Sequence, residues 1–575
     1  MKALSLRIVP ALLFQFLPLA TAGNHRLSPD LDGSKGIVSV LVQYRTAPSQ
    51  TQLDAISTKH KGRVNKVFLN PAALQADIPA DQLENLADST DVLYVSSDRP
   101  VQANMDVSGP VVGTVSAIFQ GVQGAGVTVA VIDSGVNEHA DLAGRIVYAE
   151  SFIGKLGTSA TAVADNFGHG TVVAGILAGD GKSAGFLQVI RGIAPKVNIV
   201  SLKALDAQGK GTDSSVVAAI NRAIALKNTY KIGVINLSLG RPVVESFRTD
   251  PLCQAVERAW KAGLVVVVAA GNGGRDNSLG NAGYGTIQSP GNDPLAITVG
   301  AMRTMRTFDR GDDLIATYSS KGPSAIDHIV KPDLVAPGNA IAAAAPSAGS
   351  SLATELAGNF LMESEYKFGG SAIAARDYFR LSGTSMATPM VAGAAALLLG
   401  RDATLTPDQI KARLMKTASK NYRTTATATD PVTGQVYTAV QDLFAMGAGY
   451  LDITSALKNT DLAAGQAFSP KAVYNKTTKT VKIVGDASVI WADQTLAGSS
   501  AIWGSSVIWS DSVIWADALK LVNGVSVIWA DKSPWADAGA KGFSVIWADK
   551  GPEGGSVIWS DQTPAALAIT AKGEK

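Results

Sequence analysis

Four polar residues occupy positions from which they could act together on one substrate. Asp133 closes the apolar run VTVAVID, and Asn272 follows the run LVVVVAAG. His169 and Ser385 each stand at the beginning of a stretch of small and apolar residues, which is typical of a helix N-terminus. The set contains an acid, a base, an amide donor and a hydroxyl nucleophile.

These four residue types are the ones that acyl transfer needs. A serine hydroxyl is a weak nucleophile unless a base takes its proton, and histidine has a pKa suited to that task. A carboxylate orients the imidazole, while an amide and a backbone N–H stabilise the oxyanion. Each residue also has an ordinary alternative, since Asp and Asn are common in turns and Ser caps helices. The complete set favours the catalytic interpretation.

The surrounding pattern predicts the elements that position these residues. Nearly continuous apolar runs alternate with helical segments, which is typical of an α/β fold with a doubly wound parallel sheet. Polar residues at the strand ends then meet at one edge of the sheet. The predicted strands are Val127–Asp133, Val197–Leu205, Ile232–Leu239, Leu264–Gly271 and Ala296–Met302, and the predicted helices are His169–Ala178, Thr212–Tyr230, Pro251–Ala262 and Met386–Leu399.

Three motifs in the order Asp, His, Ser resemble those of the subtilisin-like serine proteases, or subtilases (peptidase family S8). They are Val131–Gly135 (VIDSG), Gly168–Thr171 (GHGT) and Gly383–Ala387 (GTSMA), and Ala269–Asn272 (AAGN) is similar to the family's oxyanion segment. The resemblance runs from about Gly126 to Leu457. It implies a serine endopeptidase acting on proteins or peptides, with no cofactor required for the chemistry.

Carried onto this sequence, the resemblance gives each residue a role. Asp133 orients His169, His169 is the general base and then the general acid, Ser385 is the nucleophile, and Asn272 donates to the oxyanion. The resemblance also implies a glycine-rich edge that pairs with the substrate backbone, in AQGKGT, and a pocket wall in INLSLG. As alternatives, these are a glycine loop and a buried strand. The substrate-binding residues so implied are Gly209, Lys210, Gly211, Ser238, Leu239 and Gly240.

The chain divides into four predicted parts: a signal peptide (1–22), an inhibitory propeptide (23–104), a catalytic domain (105–460) and a Trp-rich extension (461–575). Lys2 and Arg7 precede an apolar run that ends in small residues, so we expect secretion; an N-terminal membrane anchor is the alternative. The order β-α-β-β-α-β after residue 35 predicts an α+β, ferredoxin-like module. It resembles subtilase propeptides, which implies an autoprocessed zymogen whose propeptide is an intramolecular inhibitor.

A long segment, Asn339–Ser382, precedes the serine motif and departs from the family's usual length. We expect Ala342–Ala345 and Ser347–Ser351 to form a flexible or exposed loop, acting as a lid, a specificity element or a tolerated insertion. Structural calcium is common in the family, but no D-x-D-x-D-G loop occurs here, so its ligands stay unassigned. The single cysteine, Cys253, is expected to be buried in a helix with a structural role.

Eight of the nine tryptophans lie in hexads of the SVIWAD type after residue 487. Val-Ile-Trp favours β-structure, so we expect a small β-solenoid or sheet with stacked tryptophans; a disordered tail is the alternative. Dense aromatic residues suggest contact with a glycan or the cell surface. With 50 Lys and Arg against 48 Asp and Glu, a nucleic-acid partner is not expected, and we expect a monomer.

Two other functions compete with the protease interpretation. One is a binding protein on an inactive protease scaffold, in which the repeats are the working part. The other is a surface-binding protein whose protease domain acts mainly in its own maturation. The complete set of four catalytic residues argues against the first, whereas the sequence does not separate the second from broad digestion.

Overall fold

The computed structural model describes residues 26–27, 31, 33–68, 72–97, 108–187, 189–278, 281–367, 370–423, 425–430, 434–475, 480–484, 556–558 and 573–574. The predicted signal peptide and nearly all of the Trp hexads lie outside these residues. The chain forms two compact units, Met1–Ala103 and Asn104–Lys575.

The first unit has the order of elements expected from the sequence. Its strands form one antiparallel sheet in the order β2-β3-β1-β4. Alternate residues of β1, such as Val40 and Val42, are fully buried with Leu83 and Leu86 of the second helix. The elements are β1 (Ile37–Tyr44), α1 (Gln50–Thr58), β2 (Arg63–Phe68), β3 (Ala73–Pro79), α2 (Leu83–Ala87) and β4 (Val92–Ser97).

The second unit begins with two short helices and is built on the predicted sheet of mostly parallel strands. The first part comprises α3 (Ser108–Val111), α4 (Thr114–Phe119), β5 (Thr128–Asp133), β6 (Ile146–Ser151), α5 (Ala160–Val163), α6 (His169–Ala178), β7 (Asn198–Lys203), β8 (Lys210–Thr212), α7 (Asp213–Tyr230) and β9 (Ile232–Leu237). The next part comprises α8 (Pro251–Lys261), β10 (Val265–Ala269), β11 (Ile297–Arg303), β12 (Leu314–Ile315) and β13 (Leu334–Pro337).

The sheet order is β12-β11-β10-β9-β5-β7-β6, with β13 also paired to β11. Among these strand pairs, β12 and β11 are antiparallel and all the others are parallel. Every residue of β5, β10 and β11 is buried, as expected for strands covered on both faces. The polar residues that end β5 and follow β10 therefore lie at the carboxyl edge of one sheet.

Most of the segment before the serine motif is folded: the burial of Ala342–Ala345 corrects the expectation of a loop there, whereas residues 347–349 form an exposed turn, as expected. It contains β14 (Ile341–Ala344), α9 (Ser351–Glu355), β15 (Phe360–Met362) and β16 (Ala374–Leu381), and its strands form a sheet in the order β14-β16-β15. The alanines of β14 are buried, because they pair with Tyr378, Phe379 and Arg380 of β16. We call residues 341–381 the insertion sheet.

The remaining elements complete the unit around the helix that carries Ser385. Helix α10 begins at Thr384, two residues before the predicted start, and contacts α6 as well as strands β9, β10 and β11. Along the part of the chain that the structure describes, no helix is long and apolar enough to cross a bilayer. These elements are α10 (Thr384–Arg401), α11 (Pro407–Thr417), β17 (Thr425–Thr429), β18 (Val436–Val440), α12 (Leu443–Met446), α13 (Ile453–Lys458), β19 (Lys471–Asn475), β20 (Thr480–Val484) and β21 (Ser556–Ile558).

Candidate active site

Asp133 and His169 form a buried hydrogen bond where β5 ends and α6 begins. The distance from Asp133 Oδ1 to His169 Nδ1 is 2.8 Å, and both side chains are fully buried. The same carboxylate oxygen accepts the backbone N–H of Ser134 at 2.7 Å. Because a carboxylate accepts only, Nδ1 carries the proton and Nε2 presents its lone pair. That is the tautomer a general base needs.

The close approach of these two elements depends on the glycine that follows His169. A Cβ atom at position 170 would lie 2.0 Å from the carbonyl oxygen of Gly135 and 3.1 Å from the Cβ atom of Asp133. Any side chain at Gly170 would therefore push α6 away from the end of β5. The hydrogen bond from His169 Nδ1 to Asp133 Oδ1 requires α6 and the end of β5 to stay close together.

Asp165 organises the same corner, and the sequence interpretation did not single it out. Its carboxylate accepts from the Ser134 hydroxyl at 2.8 Å, the Gly168 N–H at 2.7 Å, and the N–H and hydroxyl of Thr171 at 2.8 and 2.6 Å. Burial raises the pKa of Asp165, and these hydrogen bonds oppose the rise. The feature of the sequence that could have indicated Asp165 is its position four residues before His169, in DNFGHGT.

Ser385 lies in the first turn of α10 and is tied to the end of β9. Its hydroxyl donates to the carbonyl oxygen of Ser238 at 3.1 Å, and the Ser238 hydroxyl donates to the Ser385 carbonyl oxygen at 2.8 Å. Ser385 is only 4% exposed. Ser238, predicted as part of a substrate pocket wall, thus contacts the predicted nucleophile Ser385.

Asn272 is held by the residue that precedes Ser385. Its Oδ1 atom accepts from the backbone N–H of Thr384 at 2.9 Å and from the Thr384 hydroxyl at 3.1 Å. The amide oxygen is thereby occupied, so the Nδ2 hydrogens point away from Thr384. A Cβ atom at Gly383 would lie 3.4 Å from Nδ2, which places the donor beside the nucleophile turn. The arrangement brings together an amide donor and the N-terminus of α10.

The predicted glycine-rich edge lies next to the histidine. A Cβ atom at Gly209 would lie 2.6 Å from the ring of Phe167, whose centroid is 6.3 Å from that of His169. A Cβ atom at Gly211 would lie 2.3 Å from the carbonyl oxygen of Ala204, and Lys210 is exposed. Strand β8 therefore runs close to the catalytic corner.

The other predicted pocket residues converge on Gln288. A Cβ atom at Gly240 would lie 2.8 Å from Gln288 Oε1, and one at Gly271 would lie 2.8 Å from Gln288 Cγ. Leu239 is 2% exposed and belongs to the hydrophobic core. Only the glycine backbone at 240 and 271 leaves room for Gln288 between the ends of β9 and β10.

Two other sequence expectations concern residues away from this corner. Cys253 lies in α8, fully buried, with its sulfur 3.3 Å from Asn292 Oδ1, and burial raises the pKa of its thiol. This burial agrees with a structural role. Within the described ranges, no three His, Cys, Asp or Glu side chains are grouped as a metal site would require.

Comparison with known proteins identifies the architecture. The model of the subtilase family (Peptidase_S8) matches residues 124–447. The chain belongs to the subtilase family. It is similar to the serine protease AprX of Bacillus subtilis, with 34% identity over 375 residues, which cover 64% of this chain and 77% of AprX. Subtilisin E of Bacillus subtilis is 31% identical over 418 residues, which cover 71% and 93% of the two chains.

The solved structure of sphericase covers 57% of this chain and 92% of its own, at 28% identity and a TM-score of 0.42. Membership of the subtilase family confirms two expectations from the sequence: the subtilisin-like α/β fold and serine endopeptidase activity. The enzyme accordingly acts on protein or peptide substrates.

Proposed function

We propose that this subtilase cleaves peptide bonds through Ser385, His169 and Asp133 with an acyl-enzyme intermediate. The observation that carries the proposal is the buried 2.8 Å hydrogen bond that leaves His169 Nε2 as a proton acceptor at the carboxyl edge of the sheet. Ser385 stands at the beginning of α10 and is bonded to Ser238, which directly follows β9 of the same sheet. A buried carboxylate stabilises the imidazolium that forms when His169 takes a proton.

The reaction proceeds in two halves. The Ser385 hydroxyl leaves the Ser238 carbonyl and gives its proton to His169 as Oγ bonds to the substrate carbonyl carbon. The oxyanion accepts hydrogen bonds from Asn272 Nδ2 and the Ser385 N–H. His169 then gives its proton to the departing amine as the C–N bond breaks. In the second half, water replaces the amine and the acid product leaves Ser385 free.

Substrate recognition in this proposal uses backbone pairing and a small pocket. Gly209 and strand β8, which contains Lys210 and Gly211, offer backbone N–H and C=O groups to an extended peptide, and this pairing demands little of the peptide's side chains. Gly240, with the Gln288 side chain next to it, forms the wall of the pocket that receives the side chain before the scissile bond, and Leu239 supports that wall from the hydrophobic core. Ser238 serves to position the nucleophile.

The remaining parts of the chain fit a secreted, self-processed enzyme. We propose that residues 1–22 direct secretion and that residues 23–104 act as an intramolecular inhibitor which the enzyme removes. The compact first unit supports this, because a separately folded module can be cut from the catalytic unit. No cofactor enters the proposed chemistry, and bound calcium would serve stability only. The Trp hexads would provide contact with a glycan or cell surface.

Labelling with a serine-reactive phosphonate tests the proposal. The mature wild-type enzyme should label at Ser385, and the Ser385→Ala variant should not. Absence of wild-type labelling after removal of residues 23–104 would refute the proposed nucleophile. Casein hydrolysis by the same preparation then separates digestion of external proteins from a protease that serves only its own maturation, an alternative that family membership does not favour.

A further inference from the structure

The last Trp hexad of the chain pairs with the edge strand beside the active site. Ser556, Val557 and Ile558 form β21, which lies antiparallel to β8 with Ser556 opposite Thr212 and Ile558 opposite Lys210. Among the described residues, β21 is the strand that pairs with β8. An unpaired edge would expose a row of backbone donors and acceptors, so β21 satisfies groups that a substrate would otherwise use.

A second contact fixes the end of the chain in the same unit. The Glu574 side chain is 1% exposed, and its Oε1 atom accepts from Arg275 Nη2 and the Thr317 N–H, both at 2.8 Å. The Thr317 hydroxyl also donates to it. Asn339 binds the backbone of Glu574 twice, through its Oδ1 atom at 2.7 Å and its Nδ2 atom at 3.1 Å. We call Arg275, Thr317 and Asn339 the Glu574 socket.

The Glu574 socket is built from segments that also carry the catalytic groups. Arg275 stands three residues after Asn272, and Asn339 follows Gly338, whose carbonyl oxygen accepts the N–H of Gly383 at 2.8 Å. Arg275 is also paired with Asp430 at 2.9 Å, so its position does not depend on Glu574. A buried carboxylate needs such partners to offset its desolvation, and here Asn339 recognises the backbone as well.

We propose that the C-terminal tail is a built-in ligand of the catalytic domain, anchored by Glu574 and competing with substrates for β8 through its SVI sequence. This inference rests on the proposed substrate-binding role of β8. Ile558 and Glu574 are 16 residues apart in one chain, and both contacts are present at the same time. Anchoring one end turns the strand pairing into an intramolecular event and raises its effective concentration.

The tail contains further copies of the sequence that forms β21. SVI followed by Trp begins at Ser488, Ser506, Ser512, Ser526, Ser544 and Ser556. Pairing with β8 uses the backbone of a β-favouring sequence, and all six copies share that sequence. Deleting β21 alone would therefore leave five other SVI copies that could pair with β8. Glu574 has no such copy, and the anchor is therefore the more selective target. A decisive experiment removes all hexads or the anchor.

Kinetics with a short chromogenic peptide, measured on mature enzyme, test the inference. Truncation after Asp486 should lower KM about 3- to 30-fold with kcat unchanged, because the competing strand is gone. Glu574→Gln should lower KM by less, since the neutral amide loses the ion pair but the hexads remain. Glu553→Gln, the same change in a tail carboxylate outside the described contacts, should match wild type. Equal KM values for all four enzymes would overturn the inference.

Binding in trans tests the tail contact directly, on a truncated variant first shown by its cooperative thermal unfolding to be folded. A synthetic peptide of residues 551–575 should bind the Ser385→Ala variant truncated after Asp486. Versions with Val557→Pro and Ile558→Pro together, or with Glu574→Gln, should bind at least about tenfold more weakly. Equal binding of all three peptides, or none, refutes the proposed tail contact. Phosphonate labelling of Ser385 reports separately on the proposed catalytic role, so the two failures are distinguishable.

Discussion

Ser238 and Ser385 hold each other through two reciprocal hydrogen bonds between hydroxyl and carbonyl groups, 3.1 and 2.8 Å long. Asn236 Nδ2 donates to the Ser238 hydroxyl at 3.0 Å, which orients it toward α10. Ser385, the proposed nucleophile, is thus held from the end of β9 as well as by its own helix. Ser238, which the sequence implied to line the substrate pocket, instead contacts Ser385 directly.

Replacing Ser238 by alanine should therefore slow catalysis more than it weakens binding. The Ser385 carbonyl would lose a buried donor, which costs about 1–3 kcal/mol of local stability and loosens the first turn of α10. We expect kcat to fall roughly tenfold with KM within about threefold of wild type. Steady-state kinetics on a short peptide substrate measure both constants. A rise in KM with unchanged kcat would instead support a pocket role.

Asp165 should matter as much for stability as for activity. Asparagine at this position would place an amide group against donors from Ser134, Gly168 or Thr171, and two buried hydrogen bonds would be lost. We expect Asp165→Asn to reduce the free energy of unfolding by about 2 kcal/mol or more, and kcat to fall because the His169 turn shifts.

Denaturant unfolding in a Ser385→Ala background measures the stability without self-digestion. Asp180→Asn is the matched control, since Asp180 is 20% exposed and lies 3.6 Å from Arg145. Its loss should be within about 1 kcal/mol, as for other surface ion pairs. Equal destabilisation by the two variants would contradict an organising role for Asp165.

The sequence predicted best those elements whose conformation is determined by the pattern of their own residues. Helix α6 has its predicted bounds because glycines flank a continuous run of small and apolar residues. The insertion sheet was missed because β14 is Ile followed by alanines, which carry little β-propensity. Its strand conformation comes from pairing with β16, a partner more than thirty residues away in sequence.

The candidate site shows the same limit. Asp133, His169, Asn272 and Ser385 could be selected by residue type and position at element ends. That Asn272 turns its oxygen toward Thr384, or that Asp165 gathers donors from three residues, depends on side-chain geometry formed only after the loops meet. Pairing of β21 with β8 joins segments more than three hundred residues apart, so no local pattern indicates it.

The insertion sheet should stabilise the catalytic unit through Tyr378. Its hydroxyl donates to Asp141 Oδ2 at 2.6 Å, and both residues are buried. Tyr378→Phe leaves that carboxylate oxygen without its donor, so we expect a loss of about 1–3 kcal/mol in the free energy of unfolding. Tyr437→Phe removes an exposed hydroxyl, bonded to Gln435 at 3.0 Å, and should change stability by under about 0.5 kcal/mol. Similar changes in the free energy of unfolding for the two variants would mean that the insertion sheet adds no stability through Tyr378.

Asp313 should make the folded enzyme less stable as pH rises from about 4 to about 7. Burial raises the pKa of Asp313 to about 7, opposed by the Met305 N–H and by the Tyr450 hydroxyl at 2.8 Å. Over that window the unfolded carboxyl is ionised whereas the folded one keeps its proton, so unfolding releases a proton and higher pH favours it. The slope is at most about 1.4 kcal/mol per pH unit.

Asp313→Asn should remove this contribution, because the amide keeps an acceptor for Met305 and does not titrate. Melting temperatures of Ser385→Ala and of the Ser385→Ala, Asp313→Asn double variant should converge near pH 4 and diverge toward pH 7, with the double variant more stable at the upper end. Glu355→Gln, at an exposed carboxylate that ends α9, is the control for a change in net charge. A difference in melting temperature between these two variants that stays the same at every pH in this range would show that the Asp313 carboxyl is ionised in the folded enzyme.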